Sequence, residues 1–367
     1  MKLRFPGIKI LDRYIIGKFL GTYIFAIAMI IVIVVIFDYV EKIDDFTETK
    51  ASVREVIFDY YINFIPYFIN QFSGLFTFIA VIFFTSKMAY QTEIIAMLSG
   101  GMSFRRLMWP YFIGALIISA ASLSLNMWVI PVAQRDKVAF ENKHLRSRLN
   151  TKYDRHIYRQ TEPGQFVYIR GYNDGQSTAS FFTLEEYDGG TIVRSLEAAE
   201  ARFDPETKRW SAQRYTLRTF DSLGNETFAR FRNLDTLINL DVAEIGQISH
   251  MIKTLKIREL DRFLEAQRAK GSGSINIIEV EKHTRFSYPL GTFVLTLIGV
   301  SLSSRKVRGG TGLHIGIGTA LCFSYILFNR FAEEFAKSGS VNPGIAVWTP
   351  NVIYLGIAIY LYVKAPK

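Results

Sequence analysis

Residues 165–203 read QFVYIRGYNDGQSTASFFTLEEYDGGTIVRSLEAAEARF. Short runs rich in β-branched and aromatic residues are divided by Asn173-Asp174-Gly175 and Asp188-Gly189-Gly190, the composition of tight turns. Gln165 to Arg170, Thr178 to Tyr187 and Thr191 to Phe203 therefore predict strands. The pattern continues in Trp210 to Phe220, Glu226 to Phe231 and Thr236 to Leu240, separated by Asp204-Pro205 and Leu223-Gly224-Asn225. Six or more short antiparallel strands predict a sandwich or jelly roll. Phe166, Tyr168, Phe181, Leu184, Ile192, Trp210, Tyr215 and Leu217 are the expected inward apolar positions. They form either an ordinary core or the lining of a groove.

This β-rich stretch lies within a polar insert, Pro131 to Thr284, between strongly apolar segments. The chain is 49% hydrophobic, close to a soluble domain, so its class follows from distribution and not from the average. A helix needs roughly 20 apolar residues to cross about 30 Å of hydrocarbon. Phe19 to Phe37, a stretch within Val56 to Phe84, and Leu107 to Ile130 meet that need before the insert. Phe286 to Leu302, Gly312 to Phe328 and Ile345 to Val363 meet it afterwards. The expected fold is thus an α-helical membrane protein with six transmembrane helices, three on each side of an inserted β-jellyroll domain. Its expected divisions are 1–131, 132–284 and 285–367. Asp38 to Glu55 is expected as a short loop, Pro131 as the end of the third span, and Ile257 to Ala269 as an amphipathic helix. Lys270 to Ser274 is a flexible return link.

Orientation follows from Lys and Arg near the span ends. Lys2, Arg4, Lys9, Arg13 and Lys18 precede the first span, and Arg305, Lys306 and Arg308 follow the fourth. Both termini are therefore expected inside and the insert outside. No phosphate-binding loop, metal-ligand spacing or nucleophile elbow occurs in the sequence. Span centres carry no Asp, Glu, Lys or Arg, which leaves an intramembrane proton relay without candidates. The formal charge of +10 favours acidic partners such as anionic lipid. Nucleic acid is not expected of a chain so largely embedded in membrane. Cys322 cannot form an internal disulfide, being the single cysteine.

Two stretches carry chemistry. Tyr90 to Arg106 holds a short helix that Thr92 can cap and Gly100-Gly101 can end, with Glu93, Ile94, Ile95, Met97 and Leu98 on it. It suits insertion in a partner's groove or rest on the inner leaflet. The second stretch, 132–159, carries Arg135, Lys137, Lys143, Arg146, Arg148, Lys152, Arg155 and Arg159 against Asp136, Glu141 and Asp154. It is either a solvated face or a surface for the phosphates of an anionic amphiphile.

The chain resembles the LptF/LptG (YjgP/YjgQ) permease family, membrane subunits of the ATP-driven lipopolysaccharide exporter of Gram-negative bacteria. Leu11-Asp-Arg-Tyr-Ile-Ile-Gly-Lys-Phe-Leu20 is similar to the family's opening, and Gln91-Thr-Glu-Ile-Ile-Ala-Met-Leu-Ser-Gly-Gly101 to its coupling helix. His283-Thr-Arg-Phe-Ser-Tyr-Pro289, Arg308-Gly-Gly310 and Trp348-Thr-Pro350 match its C-terminal half. The resemblance implies an inner-membrane permease subunit that is not an enzyme. It would pass lipopolysaccharide from the outer leaflet into a periplasmic bridge. It implies pairing with a paralogous permease chain, docking of a cytoplasmic ATPase dimer, and contact with periplasmic jellyroll bridge proteins. ATP and Mg would lie in the ATPase and no cofactor in this chain. Glu93, Ile94, Ile95, Met97 and Leu98 would seat in the ATPase, and Lys42, Arg135 and Lys137 would touch lipid phosphates. The alternative is a membrane-anchored scaffold whose β domain binds a partner protein without carrying lipid.

Overall fold

The computed structural model describes residues 9–365 apart from 50, 145–153, 174–175, 205–206, 208, 222–223, 239, 241–247, 270–273 and 305–311. The basic loop 305–308, the motif 308–310, most of the return link, and Arg146, Arg148 and Lys152 lie outside the described residues. The chain divides into two compact units, 1–137 with 279–367, and 138–278.

The first unit is a helix bundle. Helix α1 (Ile10–Glu48) does not stop at the apolar stretch but carries the acid-leaning residues after Phe37 as helix. Its polar extension keeps helical hydrogen bonding where water can solvate the side chains. Helix α2 comprises Val53–Glu55, a π-helical segment Val56–Tyr61 and Ile62–Tyr90. Helix α3 is Glu93–Ser99. Phe104–Ser124, the π turn Leu125–Val129 and Ile130–His144 follow without a break as α4. After the insert come α7 (Ile275–Ser303), α8 (Gly312–Lys337) and α9 (Pro343–Lys364). By length and composition, α1, α2, α4, α7 and α9 are candidate spans among the described residues. The sixth expected span falls within α8.

Pro131 does not end α4, contrary to the sequence expectation. A proline ring ordinarily clashes with the carbonyl four residues back. Here the π turn directly before α4's last segment changes the local register, so the helix absorbs the proline and continues to His144. Pro289 is handled from outside its own helix. It leaves the Arg285 carbonyl without its helical donor, and Asn126 Nδ2 on α4 reaches that oxygen at 3.5 Å. Asn126 Oδ1 in turn accepts from Asn70 Nδ2 at 2.9 Å, and Asn70 Oδ1 accepts from Ser122 at 2.6 Å. Tyr23 and Ser73 are joined at 2.9 Å beside them. A polar chain therefore links α1 to α2 and α2 to α4 and α7 in a setting that offers few other partners.

In the second unit, six strands form one antiparallel sheet in the order β1-β2-β3-β4-β5-β6. They are β1 (Asp154–Glu162), β2 (Gln165–Asn173), β3 (Thr178–Asp188), β4 (Thr191–Asp204), β5 (Arg209–Phe220) and β6 (Glu226–Leu237). Strand β1 was hidden within the basic stretch, and Thr236-Leu237 end β6 instead of opening a strand of their own. Gly189 and Gly190, with φ of 55° and 89°, make the two-residue hairpin between β3 and β4. Helices α5 (Ile248–Thr254) and α6 (Ile257–Ala269) pack Ile248, Ile252, Leu260 and Leu264 with Ile278.

Burial along the sheet does not alternate strictly. The buried or core-packed positions run Val167, Ile169, then Tyr172 on β2, and Leu184, Phe182, then Ala179 on β3. They run Leu196, Ala198, then Ala201 on β4, and Leu217, Tyr215, then Ala212 and Trp210 on β5. Each strand makes one three-residue step, and the steps lie in register across the ladder. Phe181 (φ 51°) sits in the step on β3 and Asn233 (φ 56°) in the corresponding step on β6. Left-handed backbone at these points switches which residues face inward, so both halves of the sheet serve one core.

The polar chain gives a first test. Asn126→Leu should cost about 1–3 kcal/mol by orphaning buried polar groups, seen as a lower Tm in detergent. Ser124→Ala, which removes only a bond to its own helix at Ala120, should leave Tm unchanged.

Candidate lipid path and partner-docking site

The short helix α3 hangs between two sharp turns. Thr92 enters it at φ 61°, a left-handed conformation that lets the chain reverse after α2. Its hydroxyl does not cap the helix as expected but bonds the Gln91 carbonyl at 2.6 Å. The other end follows the expectation. Gly101 takes φ 87°, Met102 N bonds Met97 O, and Gly101 N bonds Leu98 O, a Schellman stop.

The five residues expected to meet a partner do not share one face. Ile94 is 0% exposed and belongs to the bundle core with Ile15, Phe19, Phe104 and Leu107. It anchors α3 and is not available to a partner, which corrects the expectation for that residue. Met97 and Leu98 pack partly on the same cluster. Ile95 is exposed. Glu93 is half-buried and accepts a hydrogen bond from Tyr14 Oη on α1 at 3.2 Å.

Beside it lies an ion pair that sequence reading missed. Arg106 Nη1 and Nη2 bond Asp12 Oδ1 and Oδ2 at 2.6 and 2.5 Å, a bidentate fork. Asp12 Oδ2 also accepts from the Lys9 backbone at 2.8 Å. Asp12 is only 2% exposed, and Arg106 holds its carboxyl below the usual carboxylate range. The signal available in sequence was a lone acid in a basic segment. Asp12 lies seven residues before Phe19, outside the apolar span.

At the other end of α1, Lys42 and Lys137 converge. Their Nζ atoms lie 4.8 and 5.6 Å from the centroid of the Tyr60 ring, and both are 5.9 Å from that of Phe64. Two cations over one aromatic pair gather positive charge that the rings alone offset weakly. Lys42 also pairs with Asp38 Oδ1 at 2.6 Å and bonds the Tyr60 hydroxyl. Arg135 is exposed on α4, two residues before Lys137. Between the two ends, α1, α2 and α4 line an open apolar pocket of about 350 Å³ whose walls include Leu20, Ile24, Ile27, Ile69 and Ile117.

In the β unit, Trp210 is fully buried, and Leu184, Tyr215 and Leu217 pack on the same core. Phe166 and Tyr168 lie on the opposite face, since their neighbours Val167 and Ile169 are the buried ones. There they meet Tyr158 at ring distances of 5.6 and 6.4 Å. Phe181 is exposed at the sheet's turning line, with Arg170 4.3 Å over its ring. Ile192 is half-buried opposite Tyr187. The eight positions therefore divide between two faces and do not line one groove, a correction forced by the three-residue step and the phase of β2.

A family profile described as "Lipopolysaccharide export system permease LptF/LptG" matches residues 13–364. No curated protein matches the chain.

The two faces predict different costs. Trp210→Ala should destabilise the β unit by about 3–5 kcal/mol, whereas Phe166→Ala should cost under about 1 kcal/mol, both read from denaturant unfolding. The depressed Asp12 carboxyl contributes stability that is present above the unfolded carboxylate value near 4 and lost as pH falls through its lower folded value. Protection of the amides around Arg106, corrected for their intrinsic exchange rates, should therefore be unchanged between pH 8 and pH 5 and fall only in stronger acid.

Proposed function

The chain belongs to the LptF/LptG family of lipopolysaccharide export system permeases, and from that membership we propose that it extracts lipopolysaccharide from the outer leaflet of the inner membrane and passes it to its own periplasmic β domain. The observation that carries the reading is the pairing of Lys42 and Lys137 over Tyr60 and Phe64, above an apolar cavity. Such an arrangement suits an anionic amphiphile, with phosphates at the lysines and acyl chain below. Each buried CH₂ is worth about 0.8 kcal/mol, so transfer has to run from one apolar environment to another. Leu184, Tyr215 and Leu217 on the core face of the sheet are the candidate receiving surface.

Driving force enters through α3. Glu93 and the exposed Ile95 are the candidates to seat in a cytoplasmic ATPase, which would bind the ATP and Mg. A paralogous permease chain would complete the cavity, and bridge proteins would take the lipid onward from the β domain. The N- and C-termini are cytoplasmic in this reading.

Asp38 sets the sign of one test. It neutralises Lys42 in this state, so Asp38→Asn should raise affinity for a bis-phosphorylated lipid A and steepen its salt dependence. Lys137→Gln should weaken binding several-fold. Equal affinity in both variants and wild type would remove the phosphate role. Photocrosslinkers at Leu184, Tyr215 and Leu217 should label lipopolysaccharide only with ATP present, and labelling of none would remove the receiving surface. Glu93→Lys should abolish co-purification with the ATPase.

A further inference from the structure

Helix α1 is held at one end by both termini of the docking segment and carries Lys42 at the other. Tyr14 donates to Glu93 at the start of α3. Asp12 takes the bidentate fork of Arg106 in the first turn of α4, just past α3. Ile15 packs in the same buried cluster as Ile94. Three ties from the N-terminal turns of α1 (residues 12, 14 and 15) thus grip the short helix and its exit. From Asp12 to Lys42 the helix is unbroken and contains neither proline nor π turn. At 1.5 Å per residue that is about 45 Å.

The contrast with α2 and α4 is informative. Both begin or pass through π-helical segments and contain prolines, at Pro66, Pro110 and Pro131. Such interruptions let a helix bend locally. Helix α1 alone of these three has none, and it is the least buried of the candidate spans. It is therefore stiff enough to move as one piece. Of its ties, the Asp12–Arg106 pair is the strongest, because the acid is buried, charged and doubly bonded.

We propose that Asp12, Tyr14 and Arg106 are positioning residues that make α1 follow the docking helix, so that displacement imposed at Glu93 reaches Lys42 at the far end. This rests on the transport reading above. The device converts a local push at α3 into a change in where Lys42 stands relative to Lys137 and the Tyr60 and Phe64 rings. The phosphate site would then be remodelled from the opposite side of the membrane without any ligand passing between the two ends.

The test uses the full chain in its complex with the second permease chain and the ATPase. A nitroxide at Val40, which is exposed, and another on α2 at Phe58, also exposed, report the far end of α1. Nucleotide binding should shift their distance distribution in the wild type. Asp12→Arg should abolish the shift and raise the ATP hydrolysed per lipid released about tenfold. The charge-swapped double variant, Asp12→Arg with Arg106→Asp, should restore both. Tyr14→Phe, a milder change in case Asp12→Arg fails to fold, should reduce the shift while the ATPase still co-purifies. An unchanged shift in every variant, or no shift in a wild-type complex that binds the ATPase, would overturn the inference and leave the transport reading standing. A wild-type chain that fails to bind any ATPase would overturn the transport reading itself.

Discussion

A backbone carbonyl in hydrocarbon has no water to bond, and that constraint governs how this bundle is assembled. Prolines free carbonyls in several helices, and the chain answers in two ways. Next to Pro131 it changes helical register through a π turn. At Pro289 it lends a side chain, Asn126, from a neighbouring helix. The second answer commits Asn70 and Ser122 as well, and so fixes the packing of α2, α4 and α7. The same residues border the apolar cavity. Its position among the helices is a consequence of how backbone polarity is satisfied.

Charge is distributed around this frame in a complementary way. The bundle's clearest ion pairs near α1 stand at its two ends, Asp12 with Arg106 and Asp38 with Lys42. The first closes a carboxylate in a buried fork and is suited to holding. The second leaves Lys42 partly accessible beside Lys137 and is suited to exchange with another anion. One helix thus carries a fixed contact and an exchangeable one, about 45 Å apart.

Much of the fold was legible in the sequence, because span length and turn chemistry are local signals. The helix Ile257–Ala269, the hairpin at Gly189-Gly190 and the glycine stop of α3 are all set by residues close in the chain. What escaped depended on distant partners. Strand β1 pairs with β2 through a stretch whose charge suggested a solvated face or a phosphate-binding surface. In Phe166-Val-Tyr-Ile169 all four residues are apolar, so either phase of the strand could face inward, and the larger rings drew the choice the wrong way. The three-residue step leaves no mark in sequence, since Phe181 and Asn233 are ordinary strand-turn residues until neighbouring strands demand their backbone. Ile94 was misjudged for a related reason: an apolar residue on a short helix does not say whether its own bundle or a partner will cover it. The Asp12 ion pair went unnoticed because its partner, Arg106, lies far along the chain.

In the proposed reading, the subunit would hold an anionic lipid at one end of a stiff helix and receive force at the other. The most direct measurement is native mass spectrometry of the complex extracted gently from membranes. The account predicts this chain with one related permease chain, two ATPase copies and a bound lipopolysaccharide that is lost when Lys42 and Lys137 are both replaced by Gln. A chain that emerges without an ATPase and without lipid, its mass unaffected by those replacements, would contradict it.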